Sequence, residues 1–580
     1  MVSFFLLLAS VAAVAPHPGG FQERADPRER TIVEPGRVMW TTPSNATAWV
    51  ESPERLTGRH FGQMPEPDGV CKLWNKGAPS GVLLDFGREL HGGVQIVTGW
   101  IGPRKVRIRF GESAAEAMAE LGERNAGNDH AIRDDVVTLP GMGMREFGMT
   151  GFRFVRIDAL EDGPTLIGSV RAVSLMRPMK RLGGFRCSDE RLNRVFETAV
   201  RTVHLCCQEH LWDGIKRDRL VWMGDTHPET SVILAVFGKA PVLPETFDFA
   251  IALHRPDQWM NGMSPYTMWF LRNVHDWWWT TGDVGYLRRH AAYLKATCEN
   301  LAKYVSPSNT PSDRLKSPFL DWPSNHNMPA VRAGMQALML QAFRDSSEMA
   351  AAVGDRGWQE LCDGAAAKLA TVRPDPHGSK QAAAMLALSS LCAPKEMYDE
   401  VLGRDGLKGV STFYGYYMLE AMSAAGEDGR ALATVRDYWG AMLDMGATSF
   451  WEDFNVAWTN NAFRIDELPV RGRKDVHGDY GEFCYRGFRH SLCHGWSAGP
   501  AAWLIRHVLG RRPTAVGCKS VAVKPVLGDL DWAEGSMALP DGGAVSVRVT
   551  KRPDGSLDVK VSAPPGVKVE CKTDANSGAD

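Results

Sequence analysis

Beyond its first fifteen residues the sequence has no long apolar run, and it carries little net charge of either sign. No later segment approaches the 18 uninterrupted apolar residues that a membrane-spanning helix needs. A formal net charge of -2 provides no electrostatic attraction to nucleic acid or to an anionic membrane surface. We therefore predict no membrane insertion and no nucleic-acid partner, and we expect a partner that is neutral or weakly charged.

Cysteine pairs with metal-ligand spacing are also missing. The 11 cysteines stand singly, apart from Cys206 and Cys207, and no C-x-x-C pair is followed by a second pair. Most of them are expected to be small buried apolar residues. The sequence predicts no metal site and no cofactor, and it gives no argument for disulfide bonds.

The first fifteen residues have the pattern of a secretory signal. About a dozen apolar residues end in the small residues Ala13, Val14 and Ala15, before a segment rich in proline and glycine. The usual lysine or arginine at the start is absent, and the stretch is too short to span a membrane. We predict that residues 1–15 are a signal peptide and that the mature protein is exported to the periplasm or the extracellular space.

The rest of the chain falls into three regions of different pattern. Residues 31–182 contain short alternating apolar runs such as GVLLDFG and GFRFVRIDAL, separated by glycine or proline, which predicts an antiparallel β-sandwich. Residues 183–510 contain repeated amphipathic stretches at helical spacing, too many for a four-helix bundle. Residues 511–575 return to alternating runs, with a hairpin signal at Asp554 and Gly555, and predict a small C-terminal β-sandwich.

The stretch DGIKRDRLVWMGD, residues 213–225, combines aspartates, cations and a tryptophan in a predicted loop between two helices. In such a loop Asp213 and Asp225 are able to accept hydrogen bonds from sugar hydroxyls, and Asp218 is placed to donate a proton. The same residues are equally compatible with a set of surface salt bridges. The 19 tryptophans of the chain favour the first interpretation only weakly, because most buried indoles fill a core.

A glycosidase needs a second carboxylate, on another loop of the same rim. Glu452, in the stretch GATSFWEDFN after a predicted helix, is the best candidate. Taken alone, Glu452 is equally well read as an exposed loop acid, and only its pairing with residues 213–225 favours a catalytic role.

Four motifs in this order resemble glycoside hydrolase family 78, the α-L-rhamnosidases. They are the aspartate-rich stretch at 213–225, the FLDWP stretch with Asp321 and Trp322, the GATSFWE stretch ending in Glu452, and the SLCHGWSAGP stretch with His494. The resemblance covers about residues 80 to 510. It implies that the helical region is an (α/α)6 toroid between the two β domains, and that the protein removes terminal α-L-rhamnose from plant or algal polysaccharides or glycosides.

The resemblance also implies a role for each residue of the site. Asp218 is the expected general acid and Glu452 the expected general base of an inverting hydrolysis that needs no metal or cofactor. The expected sugar-binding residues are Asp213, Arg217, Trp222, Asp225, Asp321, Trp322, Trp451 and His494.

One position departs from the family pattern. The general acid is usually glutamate, whereas Asp218 places its carboxyl one methylene closer to the backbone. A misplacement of about 1 Å costs on the order of 100-fold in rate unless the loop compensates. We expect compensation, because the neighbours Trp222, Gly224 and Asp225 keep their register.

Two alternatives to a rhamnosidase remain open at this stage. One is another glycosidase, or a polysaccharide lyase, on a similar helical toroid, for which the tyrosines of GYY at 415–417 are candidates. The other is a carbohydrate-binding homologue that has lost its catalytic acid. Turnover of an aryl α-L-rhamnoside distinguishes these possibilities.

Overall fold

The computed structural model describes residues 25–58 and 69–571. The predicted signal peptide lies outside these residues. A β-rich region, a helical region and a second β-rich region follow one another along the described chain. The predicted architecture of sandwich, helical toroid and small β domain is confirmed.

The N-terminal region forms one antiparallel sheet of nine strands with the neighbour order β3-β4-β9-β5-β8-β6-β7, while β1 pairs with β9 and β2 with β5. The strands are β1 (Glu29–Val33), β2 (Arg37–Thr41), β3 (Ala48–Glu51), β4 (Cys71–Asn75), β5 (Ser80–Thr98), β6 (Arg104–Gly111), β7 (Asp134–Leu139), β8 (Met144–Ala159) and β9 (Gly163–Met176). A short helix, α1 (Ala114–Met118), follows β6.

The long strand β5 changes partners along its length. Its first half pairs with β2 and its second half with β9, and the register with β8 shifts on both sides of Gly92. Such irregularities bend a strand. Gly92 has φ +140°, and a Cβ there would lie 2.0 Å from the carbonyl oxygen of Val173. Only glycine therefore allows β9 to approach this bend.

The central helices form a closed inner ring and an outer layer. The inner helices are Thr226–Val236, Ser264–Thr281, Met328–Val353, Lys380–Leu388, Gly415–Ala424 and Pro500–Trp503, the last continuing as a π turn over Leu504–Val508. The outer helices are Glu190–Cys206, Val242–Leu253, Val284–Ala302, Arg356–Leu369, Pro394–Met397 with the π turn Tyr398–Leu402, and Asp428–Thr434 continuing through the π turn Val435–Trp439 to Gly440–Asp444.

Each inner helix packs against the next, and the last packs against the first. The first of them accordingly lacks an exposed polar face, since Thr226–Val236 is buried at every position except Ala235. The outer helices pack against the ring through one apolar face, as Glu190–Cys206 does with Leu192, Val195 and Phe196. Six inner and six outer helices make this the predicted (α/α)6 toroid.

Two smaller sheets complete the chain. One has the order β10-β15-β16-β17 and the other β13-β14-β18. Their strands are β10 (Gly184–Cys187), β13 (Arg511–Pro513), β14 (Ser520–Val523), β15 (Trp532–Ala538), β16 (Ala544–Lys551), β17 (Leu557–Ser562) and β18 (Lys568–Cys571). The strand β10 precedes the toroid in sequence and yet belongs to the C-terminal sheet. A two-stranded pair, β11 (Ala462–Phe463) with β12 (Lys474–Asp475), lies in the long segment before the last inner helix.

Among the residues described, no helix is both long and apolar enough to cross a membrane.

Arg153 joins the sandwich to the toroid. Its Nε lies 2.8 Å from Oδ1 of Asp85, and its Nη1 donates to the carbonyl oxygen of Gly446 at 3.2 Å. Both carboxylate and guanidinium are buried, with side chains 2% and 7% exposed. Asp85 also accepts from Arg37 Nε at 3.0 Å, so removing Arg153 leaves a buried carboxylate with only one of its two cationic partners, which is costly.

We predict that Arg153→Met lowers the free energy of unfolding by about 3 kcal/mol, measured by urea denaturation. The control is Arg548→Met in the C-terminal sheet, where the ion pair with Glu534 is 65% and 41% exposed. That variant should change stability by less than about 1 kcal/mol. Equal effects of the two substitutions would show that Arg153 does not tie the domains together.

Candidate active site

Residues 213–225 form an irregular loop between the first outer helix and the first inner helix of the toroid. The loop closes on itself, since Asp213 N–H donates to the Leu220 carbonyl at 3.1 Å and Leu220 N–H donates to Asp213 Oδ1 at 3.0 Å. A second segment lies alongside it, because Gly495 N–H donates to the Asp213 carbonyl at 2.8 Å. Two of the four motifs are therefore in direct contact.

Lys216 fixes this loop to the sandwich. Its buried ammonium lies 2.9 Å from Glu116 and 3.4 Å from Glu112, which belong to the sandwich, and it donates to the carbonyl oxygen of His490 at 2.7 Å. Burial raises the pKa of Glu112 to about 7 although Lys216 opposes the rise. Glu112, Glu116 and His477 offer three ligand atoms close together, as in a metal site. The Lys216 ammonium contacts all three side chains, with its Nζ 3.5 Å from Nε2 of His477, and so takes the place that a metal ion would have.

A cavity of about 500 Å³ opens beside the loop. Eight of the ten predicted site residues line it: Asp213, Arg217, Asp218, Trp222, Asp225, Trp322, Glu452 and His494. The structure thus brings together side chains that are far apart in the sequence. Asp213 and His494, the first and last of the set, are 281 positions apart.

Two predicted sugar-binding residues do not line the cavity. Asp321 is buried, and its carboxylate accepts from the Trp322 backbone N–H at 2.8 Å and from the Ser411 hydroxyl. Trp451 is fully buried and packs edge-on against Phe454. Asp321 therefore positions Trp322 by capping the turn that carries it, and Trp451 belongs to the core. The structure does not place these two side chains in the cavity lining, and their contact with a ligand stays a prediction.

Glu452 is held as a carboxylate by its surroundings. Arg217 Nη2 donates to Oε1 at 2.7 Å, Ser491 N–H donates to Oε2 at 3.2 Å, and His494 Nε2 lies 3.5 Å from Oε1. Burial alone would raise the pKa of Glu452, but Arg217 and His494 outweigh it and lower the pKa to about 2. At neutral pH this carboxylate is ionised and able to accept a proton.

Asp213 and Asp225 have the opposite character. Burial raises the pKa of both carboxyls well above the usual range, in Asp225 against a hydrogen bond that Tyr266 O–H donates at 2.9 Å. His494 Nε2 lies 3.8 Å from Asp213 and 3.9 Å from Asp225. Burial lowers the pKa of His494 to about 4, so that its imidazole is neutral at pH 7. Buried polar groups of this kind suit the recognition of hydroxyl groups.

Asp218 lies at the mouth of the cavity, with its side chain 19% exposed. Asp218 and Arg219 both adopt left-handed backbone conformations, with φ 52° and 56°. Such a conformation is strained for residues other than glycine and is held only by its surroundings. The carboxylate Oδ1 is 3.7 Å from Arg217 Nη1 and 2.8 Å from His130 Nδ1. Arg217 therefore stands between Asp218 and Glu452 and contacts both.

Several lining residues were not predicted from the sequence. The apolar wall includes Phe319, Tyr485 and Trp496, and Tyr266 and His130 contribute polar groups. Phe319 stands two positions before Asp321, so the motif itself pointed to its neighbourhood. His130 lies in the sandwich region and had no local signal that would relate it to the toroid.

The closed ring of helical hairpins, with a carboxylate-rich cavity built from the loops at one end, defines a six-hairpin glycosidase. The family model described as the bacterial α-L-rhamnosidase six-hairpin glycosidase domain matches residues 180–508, which is more than half of the chain. The chain belongs to this α-L-rhamnosidase family, as the sequence motifs predicted. A comparison with curated proteins finds no significant match.

Solved structures of rhamnosidases share the fold. The family 78 rhamnosidase of Bacillus sp. GL1 superposes with a TM-score of 0.74 and 21% identity, covering 90% of this chain and 56% of that one. The α-L-rhamnosidase of Dictyoglumus thermophilum gives 0.70 and 17%, covering 96% and 60%. The Klebsiella oxytoca rhamnosidase with rhamnose bound gives 0.61 and 18%, covering 86% and 98%. The chain spans less than two thirds of the length of the first two relatives.

The two tryptophans at 322 and 451 should respond differently to truncation. Trp451→Ala should lower the free energy of unfolding by about 3–5 kcal/mol, because it removes a fully buried indole. Trp322→Ala should cost less than about 2 kcal/mol, since that ring borders the cavity. Chemical denaturation of both variants measures the difference. A Trp322 variant as unstable as the Trp451 variant would contradict the assignment of Trp322 to the cavity wall.

Proposed function

We propose that the protein is an exported α-L-rhamnosidase that removes terminal α-L-rhamnose from plant or algal polysaccharides or glycosides by an inverting mechanism. The observation that carries the proposal is the arrangement of Asp218, Arg217 and Glu452 within family-matched motifs. One carboxylate lies on each side of a single guanidinium. Inverting glycosidases keep their carboxyl groups roughly 6.5–9.5 Å apart to admit a water. A guanidinium that contacts both carboxylates separates them by a distance of this order.

Glu452 is the proposed general base. Its low pKa keeps it ionised, and its position beside His494 places it near the polar end of the cavity. In the proposed reaction it takes a proton from the water that attacks the anomeric carbon. Arg217 orients the carboxylate through two donor nitrogens, at 2.7 and 3.3 Å.

Asp218 is the proposed general acid, protonating the glycosidic oxygen as the bond to the anomeric carbon breaks. The left-handed backbone at Asp218 and Arg219 supports the expectation that the loop is adapted to the shorter side chain. Asp218 stands at the open end of the cavity, where a leaving group attached to a bound terminal sugar would lie. No metal or cofactor takes part in the proposed mechanism.

The proposed sugar site combines the buried polar groups Asp213, Asp225 and His494 with an aromatic wall. Hydroxyl groups of a rhamnose would exchange hydrogen bonds with the polar groups. The methyl group of a 6-deoxy sugar would lie against apolar rings such as Trp222 and Trp322, which border the cavity. Removal of that methyl from water is worth about 0.8 kcal/mol. Rhamnose bound in the Klebsiella oxytoca relative supports the choice of sugar.

The lyase alternative is less well supported by the cavity. Tyr416 and Tyr417, its candidates from the sequence, are buried in an inner helix and do not line the cavity that holds Glu452. A binding protein without catalysis is the remaining alternative, and turnover measurements address it directly.

We expect Glu452→Gln to reduce turnover of an aryl α-L-rhamnoside by about 100-fold or more, while rhamnose binding stays within a few-fold. The amide keeps the shape of the side chain and is unable to act as a base. Asp453→Asn is the matched control, because it makes the same chemical change at the next residue, outside the cavity lining. Its turnover should stay within about threefold. An active Glu452→Gln variant would remove Glu452 from the mechanism.

The stereochemistry of the product gives a second test. Proton NMR of the first-formed sugar should show β-L-rhamnose from an α-linked substrate, because a water attacks from the face opposite to the leaving group. A retained α-anomer would mean that one of the two carboxylates acts as a nucleophile, and the proposed roles would then be incorrect.

A further inference from the structure

A tight turn at residues 482–485 lies against the aromatic wall of the cavity. Tyr485 N–H donates to the Glu482 carbonyl at 2.9 Å, which closes the turn with Phe483 and Cys484 at its centre. Of these two central residues only Phe483 has a positive φ, of 55°. A turn with a positive φ at its first central position usually has glycine there. A phenylalanine therefore occupies a position that favours glycine.

The left-handed conformation is unfavourable for a bulky side chain, because the Cβ atom approaches the following carbonyl oxygen. Residues keep such a conformation only where their surroundings hold it, and they cluster at functional sites. Asp218 and Ser317, which line the cavity, have φ 52° and 47°. Phe483 is thus one of several strained positions around the cavity, which points to a role for its ring that glycine could not fill.

The ring of Phe483 packs on the indole of Trp322. The two ring centroids are 5.7 Å apart, and the ring planes differ by 32°. His326 stacks on Phe483 at 5.6 Å, with 26° between the planes. Trp322 lines the cavity, whereas Phe483 and His326 lie outside the lining. Phe483 therefore forms a second layer behind the aromatic wall.

Three rings and one hydrogen bond fix the position of Trp322. Phe319 and Tyr485 lie 5.3 and 5.9 Å from the indole and meet it at 70° and 86°. Asp321 accepts from the Trp322 backbone N–H at 2.8 Å. Of the three rings, Phe483 alone packs with its plane closer to parallel with the indole. The tilt of the indole relative to the cavity therefore depends on Phe483.

The same turn contacts the polar part of the site. Arg217 Nη2 lies 3.9 Å from Cys484 Sγ, and the guanidinium carbon of Arg217 lies 5.3 Å from the centroid of the Tyr485 ring. Arg489 holds the turn by donating to the Cys484 carbonyl at 2.8 Å. The turn thus fixes the aromatic wall relative to the guanidinium that orients Glu452.

We propose that Phe483 sets the position of Trp322 and thereby determines the preference of the site for a sugar with a methyl group at C5. The inference rests on the proposed function, because it explains how that site distinguishes a 6-deoxy sugar from its analogue without the methyl group. An indole held against the sugar removes the methyl from water, and an indole that tilts away does not. Phe483 acts through Trp322 and is a positioning residue.

The test uses two substrates with the same aryl leaving group, an α-L-rhamnoside and the α-L-lyxoside, which lacks the methyl carbon. Burial of one methyl group is worth about fourfold in binding. We expect wild type to prefer the rhamnoside by about fourfold or more in kcat/KM. Phe483→Ala should reduce this preference to less than about twofold. The loss should appear as a higher KM for the rhamnoside with kcat nearly unchanged, because the methyl contact is made before the transition state as well as in it.

Phe483→Gly separates the ring from the backbone. Glycine removes the same ring, but it adopts a positive φ without strain. The unfolding midpoint of Phe483→Gly should therefore lie above that of Phe483→Ala, while the preference for the rhamnoside should be equally low. A Phe483→Gly variant with the wild-type preference would overturn the inference, since the ring would then be unnecessary. If Phe483→Ala does not fold, Phe483→Gly alone decides.

The matched control is Phe249→Ala, which removes a ring stacked on His210 at 4.3 Å in an outer helix, away from the cavity lining. Its preference for the rhamnoside should match wild type. Equal losses of kcat/KM on both substrates in the Phe483 variants would also overturn the inference, because a general loosening of the site does not distinguish a methyl group.

The same measurements separate the two proposals. A wild-type protein that hydrolyses neither glycoside contradicts the proposed function, and this inference falls with it. A wild-type protein that hydrolyses both equally well overturns the inference alone. A wild-type preference that the Phe483 variants retain contradicts only the role of Phe483.

Discussion

The buried ammonium of Lys216 is the interaction on which the geometry of the site depends. It lies between two carboxylates of the sandwich and the backbone carbonyls of the segment at 488–490, and it is carried by the same loop as Arg217 and Asp218. A buried charge is tolerated only when its partners are complete, so the three parts must come together in one arrangement. The loop with the proposed acid is thereby held at a fixed position relative to both domains.

Environment, more than residue type, distinguishes the carboxyl groups of the cavity. Asp213 and Asp225 are buried beside the neutral imidazole of His494, and burial raises the pKa of both carboxyls. Glu452 is buried to the same degree, yet Arg217 keeps it ionised. Placing carboxyls in different surroundings is how one site obtains both proton donors and proton acceptors at a single pH. In this site the guanidinium of Arg217 lowers the pKa of Glu452 most.

The sequence predicts most of the site because the motifs carry their own local geometry. Short stretches of sequence determine the spacing of Asp213 from its neighbours. They also determine the position of Glu452 just after a helix. Asp321 and Trp451 lie in such stretches too, but a pattern does not tell which side of a loop faces the cavity, and both side chains turned inward. His130 depends on the docking of two domains, and only long-range packing brings it to Asp218.

The three-region architecture was predictable because periodicity changes at the region boundaries, whereas the pairing of β10 with β15, across the whole toroid, had no local signal.

The closure of the helical ring has a consequence for how the chain folds. The first inner helix, Thr226–Val236, has no exposed polar face, and it is covered in part by Pro500–Trp503, more than 260 residues later in the chain. Contacts so distant in sequence form slowly, because the intervening chain must be ordered first. During synthesis at about 5–20 residues per second, the early inner helices wait on the order of ten seconds or more for the last one. Throughout that interval the nascent chain exposes apolar helix surface, which makes it a natural client for chaperones and sensitive to the rate of translation.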